Sequence, residues 1–597
     1  MNKKELFEKI NSLDALTTEE KSALIDLLKQ KKYGLVWENK PEDVEERLRA
    51  ELPVLKEVKD KALLDGGEET PNHILIEGDN LEALTALTYT HENNVDIIYI
   101  DPPYNTGNKD FVYNDSFVDS EDGYRHSKWL SFMDKRLRIA KKLLSEHGVI
   151  FISIDDNEQA RLKLLCDDIF QPNNMIACFC WKTDGNFDNQ AKVKICHEYI
   201  LMYAKNADKF SAPPVVDPNI PEGSKIFKSF IRNTVVKNGP KNPIGDIVIP
   251  AGFPCDIENG KIEFSSVVWP KYSGDIIIKD HKTVNEVVAT SGWASAGQLR
   301  DFIKNKFVKV TDTKGQLTGF VISQSGATET IKDRGIPSHV VSYLQNFGGP
   351  QKATTDLLGL GDKFSYPKPV QLIKYLISFK SKDQCVTVLD FFAGSGTTLH
   401  ATMLLNAEDG GSRKCILVTN NENNICEEVT YERNKRVING YTTTKGEEVK
   451  GLHNNNLRYY QIDHVERESS LTAKRKLMAA SAELLCIKHD IYEESTTFGT
   501  LKLKPHIARY FTDGKKQMLV VYMVEAIERI VEEIQAMPED TNIMVYVFST
   551  NNYAMDADFE DVADKVTLCA LPAAIYNAYL KVLPKKGEPK QIIEEDV

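Results

Sequence analysis

The sequence predicts an α/β protein built on a doubly wound, largely parallel sheet, and three observations carry that prediction. Short apolar runs end in acids: "HILIEGD" (His73 to Asp79), "VDIIYID" (Val95 to Asp101) and "GVIFISIDD" (Gly148 to Asp156). An amphipathic stretch, "SKWLSFMDKRLRIAKKLLSEHG", separates the second run from the third, which is the strand–helix–strand alternation of such sheets. A further apolar strand, "CVTVLD", enters the glycine turn "FFAGSGTT" ahead of another helix. Strands with no apolar/polar alternation are those covered on both faces, as in parallel sheets.

The elements follow in order. Thr17 and Glu20 form a capping-box pattern before a first helix ending at Gly34, and "PEDVEERLRAEL" reads as a second. After the three strands above, "MIACFCW" and "HEYILMYAKN" read as an antiparallel pair closing the sheet edge. From about Asp208 the chain turns rich in Gly, Pro, Ser and short β-like runs, the mark of an insertion. The α/β pattern resumes with the helix "KPVQLIKYLISFK" (Lys368 to Lys380), the strand "CVTVLD" and the strand "KCILVTNNE". The last portion, with "KQMLVVYMV" and "NIMVYVFST", reads as a separate small α/β domain, and there is no internal repeat. The expected segments are 1–65 (N-terminal helices), 66–207 (first half of the sheet), 208–355 (insertion), 356–464 (second half) and 465–597 (C-terminal domain).

Composition sets limits. At 597 residues the chain is too long for one core and divides into three or four units, while 42% hydrophobic and 27% charged residues exclude wholesale disorder. No apolar run approaches the roughly 20 residues a membrane helix needs. The first residues lack the apolar core of a secretory signal, and ten irregularly spaced cysteines suit a reducing compartment, so a cytoplasmic protein is expected. A net charge of −13 argues against a generic nucleic-acid coat, although residues 221–350 carry 16 Lys/Arg against 12 Asp/Glu.

Two turns hold the chemistry. In "IIYIDPPYNTG" (Ile97 to Gly107) a strand runs into an acid, two prolines and a tyrosine. Proline fixes φ and lacks an N–H, so Pro102 and Pro103 end the ladder in a stiff turn that sets the directions of Asp101 and Tyr104. In "VTVLDFFAGSGTT" the strand ends at Asp390, and Gly394 and Gly396 sit where a nucleotide or adenosyl ligand meets a sheet of this class. The turn has no P-loop lysine, and Leu399 replaces the third glycine of the dinucleotide fingerprint.

Together D-x-F-x-G-x-G and D-P-P-Y are the motif pair of amino-methyltransferases that use S-adenosylmethionine. The chain resembles DNA adenine-N6 methyltransferases, most closely the modification (Mod) subunits of Type III restriction–modification systems. The likeness extends to "YGLVWENKPEDVEE", "HILIEGDNLEAL", "IYIDPPYNTGNKDFVYND", "YRHSKWLSFM", "HEYILMYAKN", "YPKPVQLIKYLI" and "LLCIKHDIYE". With D-P-P-Y ahead of the glycine motif, it resembles the β group, whose fold is a permuted, seven-stranded Rossmann-like methyltransferase sheet with an inserted target-recognition domain. Asp101 and Asp390 would then lie on adjacent strands, and "HILIEGD" beside "KCILVTN".

The resemblance implies methylation of N6 of adenine in duplex DNA by base flipping and direct displacement, with S-adenosylmethionine as cofactor and no metal. Asp101, Pro102, Pro103 and Tyr104 would be catalytic. Asp101 and the Pro102 carbonyl would accept from the amine, and Tyr104 would stack on the base. Asp390, Phe391, Phe392, Gly394, Gly396, Asp79, Asn80, Lys368 and Pro369 would bind the cofactor, the last two near its methionine end. Asn421 and Glu422 both stand where a ribose-binding acid is expected, and Glu422 is the acid of the two. In 208–355, Lys237, Lys241, Arg300, Lys304 and Lys306 are candidate DNA contacts, and equally plain solvated side chains. Implied partners are double-stranded DNA, a second copy of the chain and a restriction (Res) ATPase subunit.

Other readings remain: a stand-alone amino-methyltransferase, one acting on N4 of cytosine or on RNA, or a catalytically silent recognition subunit. Cys178, Cys180, Cys196 and His197 carry zinc-ligand residue types, but Cys178 and Cys180 share a strand face and read as small buried hydrophobes. Pro254-Cys255 resembles the nucleophile of cytosine-C5 enzymes but lies in the insertion. Asp155 and Asp156 fit either a site or a turn, and Trp129 and Phe132 fit helix core.

Overall fold

The structure, a computed structural model, describes residues 17, 21 and 35–584 apart from 65, 68–69, 108–109, 115, 184–191, 229, 313–314, 334–337, 348–357, 361–362, 365–366, 381–384, 468–469 and 550–552. The helix expected after Thr17 lies outside the described residues save Thr17 and Lys21. Contacts divide the chain into two compact units, one of Met1–Pro213 with Val341–Val597 and one of Pro214–Val340.

The first unit is organised by a ten-stranded sheet. In chain order its strands are β1 (Glu51–Glu57), β2 (Asn72–Glu77), β3 (Val95–Ile100), β4 (Leu144–Ile154), β5 (Met175–Lys182), β6 (His197–Ala204), β7 (Tyr343–Leu344), β8 (Thr387–Asp390), β9 (Lys414–Thr419) and β10 (Asn456–Glu466). Across the sheet they lie β1-β10-β2-β9-β8-β3-β4-β6-β5-β7. Only β1 and β6 run against the rest. The expected seven strands are the run from β2 to β5, and β1, β10 and β7 widen it to ten. The helix expected over "PEDVEERLRAEL" ends at Ala50, and Glu51 and Leu52 open β1 instead; Pro53 is accommodated there because β1 is an edge strand, where a missing N–H is tolerated.

The sheet is apolar because helices cover both faces. The stretch Ile97 to Ile100 is buried throughout, as is the "VLD" of β8. Helix α1 (Asp43–Ala50) opens with a capping box between Glu42 and Glu45, and α2 (Asn80–His91) is capped by Asp79, whose Oδ1 accepts from Leu81 N at 2.7 Å. Helix α3 (Arg125–Leu143) buries Trp129, Met133, Leu137 and Ala140 on one stripe. Helices α4 (Gln159–Phe170), α5 (Val370–Ile377) and α6 (Thr397–Asp409) follow β4, precede β8 and follow β8.

From β3 the chain winds one way to β4, and from β8 the other way to β9. The carboxyl ends of β3 and β8, which are neighbours through Val388–Ile97 and Leu389–Ile98, therefore flank the point where strand order reverses.

The C-terminal portion forms a five-stranded sheet from Glu494–Ser495 to Val566–Leu571. One face has its own apolar cluster around Leu519, Ile530, Ile534 and Val545. The other face, through Met518, Val520, Tyr546 and Leu571, joins the cluster that holds Leu84, Ile98 and Leu137. That shared core is why it belongs to the first compact unit rather than standing apart, and why the chain has two units where three or four are expected from length.

The second unit is built of small antiparallel sheets over a core that includes Phe253, Phe302, Phe307 and Phe320, whose rings pack edge-on or tilted. Cys255 is buried in that core and burial pushes its thiol up, the opposite of an activated nucleophile. Lys237, Lys241, Arg300, Lys304 and Lys306 are all exposed on this unit. Among the described residues no helix is long and apolar enough to cross a membrane.

Candidate active site

Asp101 follows β3 directly, and its side chain meets two others. Its Oδ2 lies 2.8 Å from Lys368 Nζ, and its Oδ1 lies 2.9 Å from the Tyr104 hydroxyl. Glu198, at the start of β6, brings Oε2 within 2.9 Å of the same hydroxyl and 3.2 Å of Lys368 Nζ. Lys368 Nζ also donates to the Tyr104 hydroxyl at 2.8 Å. Burial raises the Asp101 carboxyl above the usual range; Lys368 opposes this and Glu198 adds to it. Burial would lower Lys368, but Asp101 and Glu198 more than offset it and hold the ammonium above its ordinary value. Burial, with Asp101 and Glu198 alongside, pushes the Tyr104 phenol well up, so it keeps its proton.

The turn itself is braced from below. Trp129 Nε1 donates to the Pro103 carbonyl at 2.7 Å, so the expected core residue also fixes the diproline geometry. Asn105 takes a left-handed φ of 57° and donates through Nδ2 to Glu158 Oε1 at 2.6 Å; His126 Nδ1 meets the same oxygen at 2.5 Å. Asp155 accepts from Asn157 N at 2.9 Å and so caps its own turn, while Asp156 accepts from the Tyr199 hydroxyl at 3.0 Å. Cys178, Cys180 and Cys196 are half-buried rather than buried, and His197 Nε2 lies 3.0 Å from the Tyr199 hydroxyl.

Beside this turn opens a cleft of about 470 Å³, within the size range of small-molecule sites. Asp101 and Pro103 line it together with Asp79, Asn80, Phe391, Phe392, Gly394 and Glu422. Gly394 has a φ of 47°, and a Cβ there would come within 3.2 Å of the Phe364 ring, so glycine is needed for the turn and for close approach. Asn421 accepts from Glu427 N at 3.2 Å, engaged in its own turn, whereas Glu422 faces the cleft.

Four of the expected cofactor residues stand elsewhere. Asp390 is buried beneath the loop, accepting from Phe392 N at 3.0 Å and from Thr398 Oγ1 at 2.6 Å. Gly396 precedes α6, and both its φ of 72° and the crowding a Cβ there would meet at Asn434 Nδ2 call for glycine. Lys368 points its ammonium at Asp101, and Pro369 is the residue before α5.

Burial pushes the Asp390 carboxyl up to about 7. The folded state therefore keeps a proton that the unfolded chain has already lost, and stability falls as pH climbs from about 4 to about 7. Asp390→Asn should remove this dependence. In paired thermal melts the variant is expected to gain on wild type between pH 5 and pH 8, and a gap constant with pH would refute the assignment.

The other wall of the cleft is made by residues outside the expected set. Phe132, expected as helix core, is half-buried and lines it, 5.8 Å from Phe392 and 5.2 Å from Phe111. Arg136, one turn on, is buried and stacks on Phe132 at 3.6 Å. It donates to both Glu42 oxygens at 2.9 and 3.0 Å and to Asn80 Oδ1, while Asn80 Nδ2 donates to the Phe391 carbonyl at 3.0 Å. The available signal was a charged residue in the apolar stripe of α3.

The chain is similar to three Mod subunits of Type III restriction-modification enzymes. It is 32% identical over 384 residues to StyLTI of Salmonella typhimurium, covering 58% of this chain and 52% of that one. For EcoPI of Escherichia phage P1 the identity is 32% over 429 residues, with coverage of 66% and 64%. For EcoP15I of Escherichia coli it is 30% over 467 residues, with coverage of 70% and 68%. The chain thus spans about half of the first relative's length and under two thirds of the second's. A family model described as DNA methylase (N6_N4_Mtase) matches residues 95–435, a stretch that begins with β3 and takes in both turns. That match exceeds half of the 597 residues, and the chain belongs to the DNA methylase family.

Proposed function

We propose that this chain is the modification subunit of a Type III restriction–modification system, transferring a methyl group from S-adenosylmethionine to N6 of adenine at a specific site in duplex DNA. One observation carries the reading: Asp101 and Pro103 share a single cleft with Phe391, Phe392, Gly394, Asp79 and Glu422, across two distant parts of the chain. The relatives named above, all Type III Mod subunits, support the placement in such a system.

The donor set fits the cofactor. Phe392 and Phe132 offer faces for an adenine ring, Gly394 admits it to the backbone, and the Glu422 and Asp79 carboxylates suit ribose hydroxyls and a cationic amino group. When bound, S-adenosylmethionine supplies an electrophilic methyl group on sulfur. The chain's own residues prepare the nucleophile. The N6 lone pair is delocalised into the purine, so the amine attacks poorly unless acceptors draw it toward tetrahedral geometry. Asp101 and the Pro102 carbonyl are those acceptors, and the Asp101 charge stabilises the positive charge that grows on N6. Because the turn is already fixed by two prolines and by Trp129, little reorganisation is needed. Tyr104 presents a ring to the flipped base. The unit 214–340 is the target-recognition module, with Lys237, Lys241, Arg300, Lys304 and Lys306 as its phosphate contacts. The active assembly is a cytoplasmic dimer that also binds a Res subunit.

Expression in a host lacking DNA methylation, read by single-molecule methylome sequencing, should give N6-methyladenine at one short motif. N4-methylcytosine, or no modified base, would overturn the reading. Exchanging 214–340 for the matching unit of a relative should move the mark to a different motif; an unchanged motif removes the recognition role.

A further inference from the structure

We infer that Glu198 is a positioning residue for methyl transfer, restraining Lys368 and keeping one net negative charge beside the reacting amine; this rests on the reaction proposed above. An ammonium has three donors, and those of Lys368 are all taken: by Asp101 Oδ2 at 2.8 Å, Glu198 Oε2 at 3.2 Å and the Tyr104 hydroxyl at 2.8 Å. Without Glu198 the remaining pair, Asp101 with Lys368, is neutral. A neutral pair offers little field to an amine that becomes positive as it is methylated, and its carboxylate is held by a cation competing for the same oxygen. Glu198 corrects both. It restores a net charge of −1 to the cluster and gives the ammonium a second anchor, so that Asp101 can turn toward the base.

Glu198 is placed to do this by the sheet. Register sets Trp181 of β5 opposite Glu198 of β6, and the Lys368 ammonium lies 5.9 Å from the Trp181 ring. The side chains of Glu198 and Lys368 are 19% and 8% exposed, so water screens them weakly. The other titratable groups facing the cluster are Tyr99 from β3, Asp155 from the end of β4 and Asp390 from the end of β8. Burial raises all three, and both phenols, Tyr99 and Tyr104, stay neutral.

The test uses the full chain with Glu198→Gln and Glu198→Asp, unmethylated plasmid DNA and labelled S-adenosylmethionine. Glu198→Gln should slow single-turnover transfer on the order of tenfold to a hundredfold while leaving cofactor and DNA dissociation constants near wild type. It should also move the acid limb of the pH–rate profile to lower pH, because a like charge that raises Asp101 has gone. Glu198→Asp should recover part of the rate. A wild-type rate and unmoved profile in Glu198→Gln overturns the inference alone, as does a loss confined to cofactor binding or folding. A wild-type chain that methylates no DNA overturns the proposed reaction as well.

Discussion

Replacing Asp101 by alanine is expected to abolish methyl transfer, by a factor on the order of a thousand or more, while S-adenosylmethionine binding stays within about twofold of wild type. The separation follows from where the carboxylate sits. Asp101 lies at the rim where the cleft meets the Tyr104 cluster, and its hydrogen-bond partners there are Lys368 and Tyr104, not the loop that carries Phe392 and Gly394. Loss of the side chain leaves Lys368 paired with Glu198, so no charge is stranded and the fold is spared. Asp101→Asn is the informative companion. It keeps an acceptor oxygen but not the charge, and should fall between alanine and wild type if charge stabilisation at N6 matters beyond geometry. Single-turnover assays and calorimetric titration of the cofactor separate the two effects, and an Asp101→Ala rate near wild type would remove Asp101 from the mechanism.

The residues that could be read from sequence are those whose chemistry is local. Asp101 and Tyr104 share one rigid turn, and the need for glycine at 394 follows from a positive φ in a loop between strand and helix. The parallel strands were legible because a strand covered on both faces shows an unbroken apolar run. What stayed hidden is long-range. Lys368 reaches Asp101, and Glu198 reaches Lys368 and Tyr104, only because tertiary folding brings β6 and the segment before α5 to the turn after β3, with no local signature. Gly396 matches the motif, and the crowding it relieves comes from Asn434, on a helix that follows β9. The charged pattern of the preceding helix runs on through Glu51 and hides the start of strand β1, and the C-terminal sheet looked independent because its shared core is made by tertiary contact, not by pattern.

Arg136→Met should cost the largest share of stability of any single change near the cleft, about 3–5 kcal/mol. The guanidinium is 1% exposed and holds both oxygens of Glu42, the Asn80 amide oxygen and the Phe132 carbonyl, with its plane on the Phe132 ring. Methionine fills much of the volume and can lie against the same ring, so cavity formation is a minor part of the loss. The main part is the Glu42 carboxylate, buried and left with Lys135 at 3.3 Å as its remaining ion-pair partner. Cofactor affinity should fall as well, about tenfold or more, because Asn80 loses the contact that fixes its amide between Arg136 and the Phe391 carbonyl. These two consequences can be pulled apart. In the double variant Glu42→Gln/Arg136→Met the buried Glu42 charge is gone and only the more exposed Asp79, 3.6 Å from Arg136, still lacks its partner, so denaturant unfolding should recover most of the stability. The cofactor defect should persist, since Asn80 still lacks its Arg136 contact and keeps only the Phe391 carbonyl. Equal recovery of both would mean that Arg136 serves the cleft only through overall stability. Recovery of neither would place the loss in packing around Phe132, not in the buried charge.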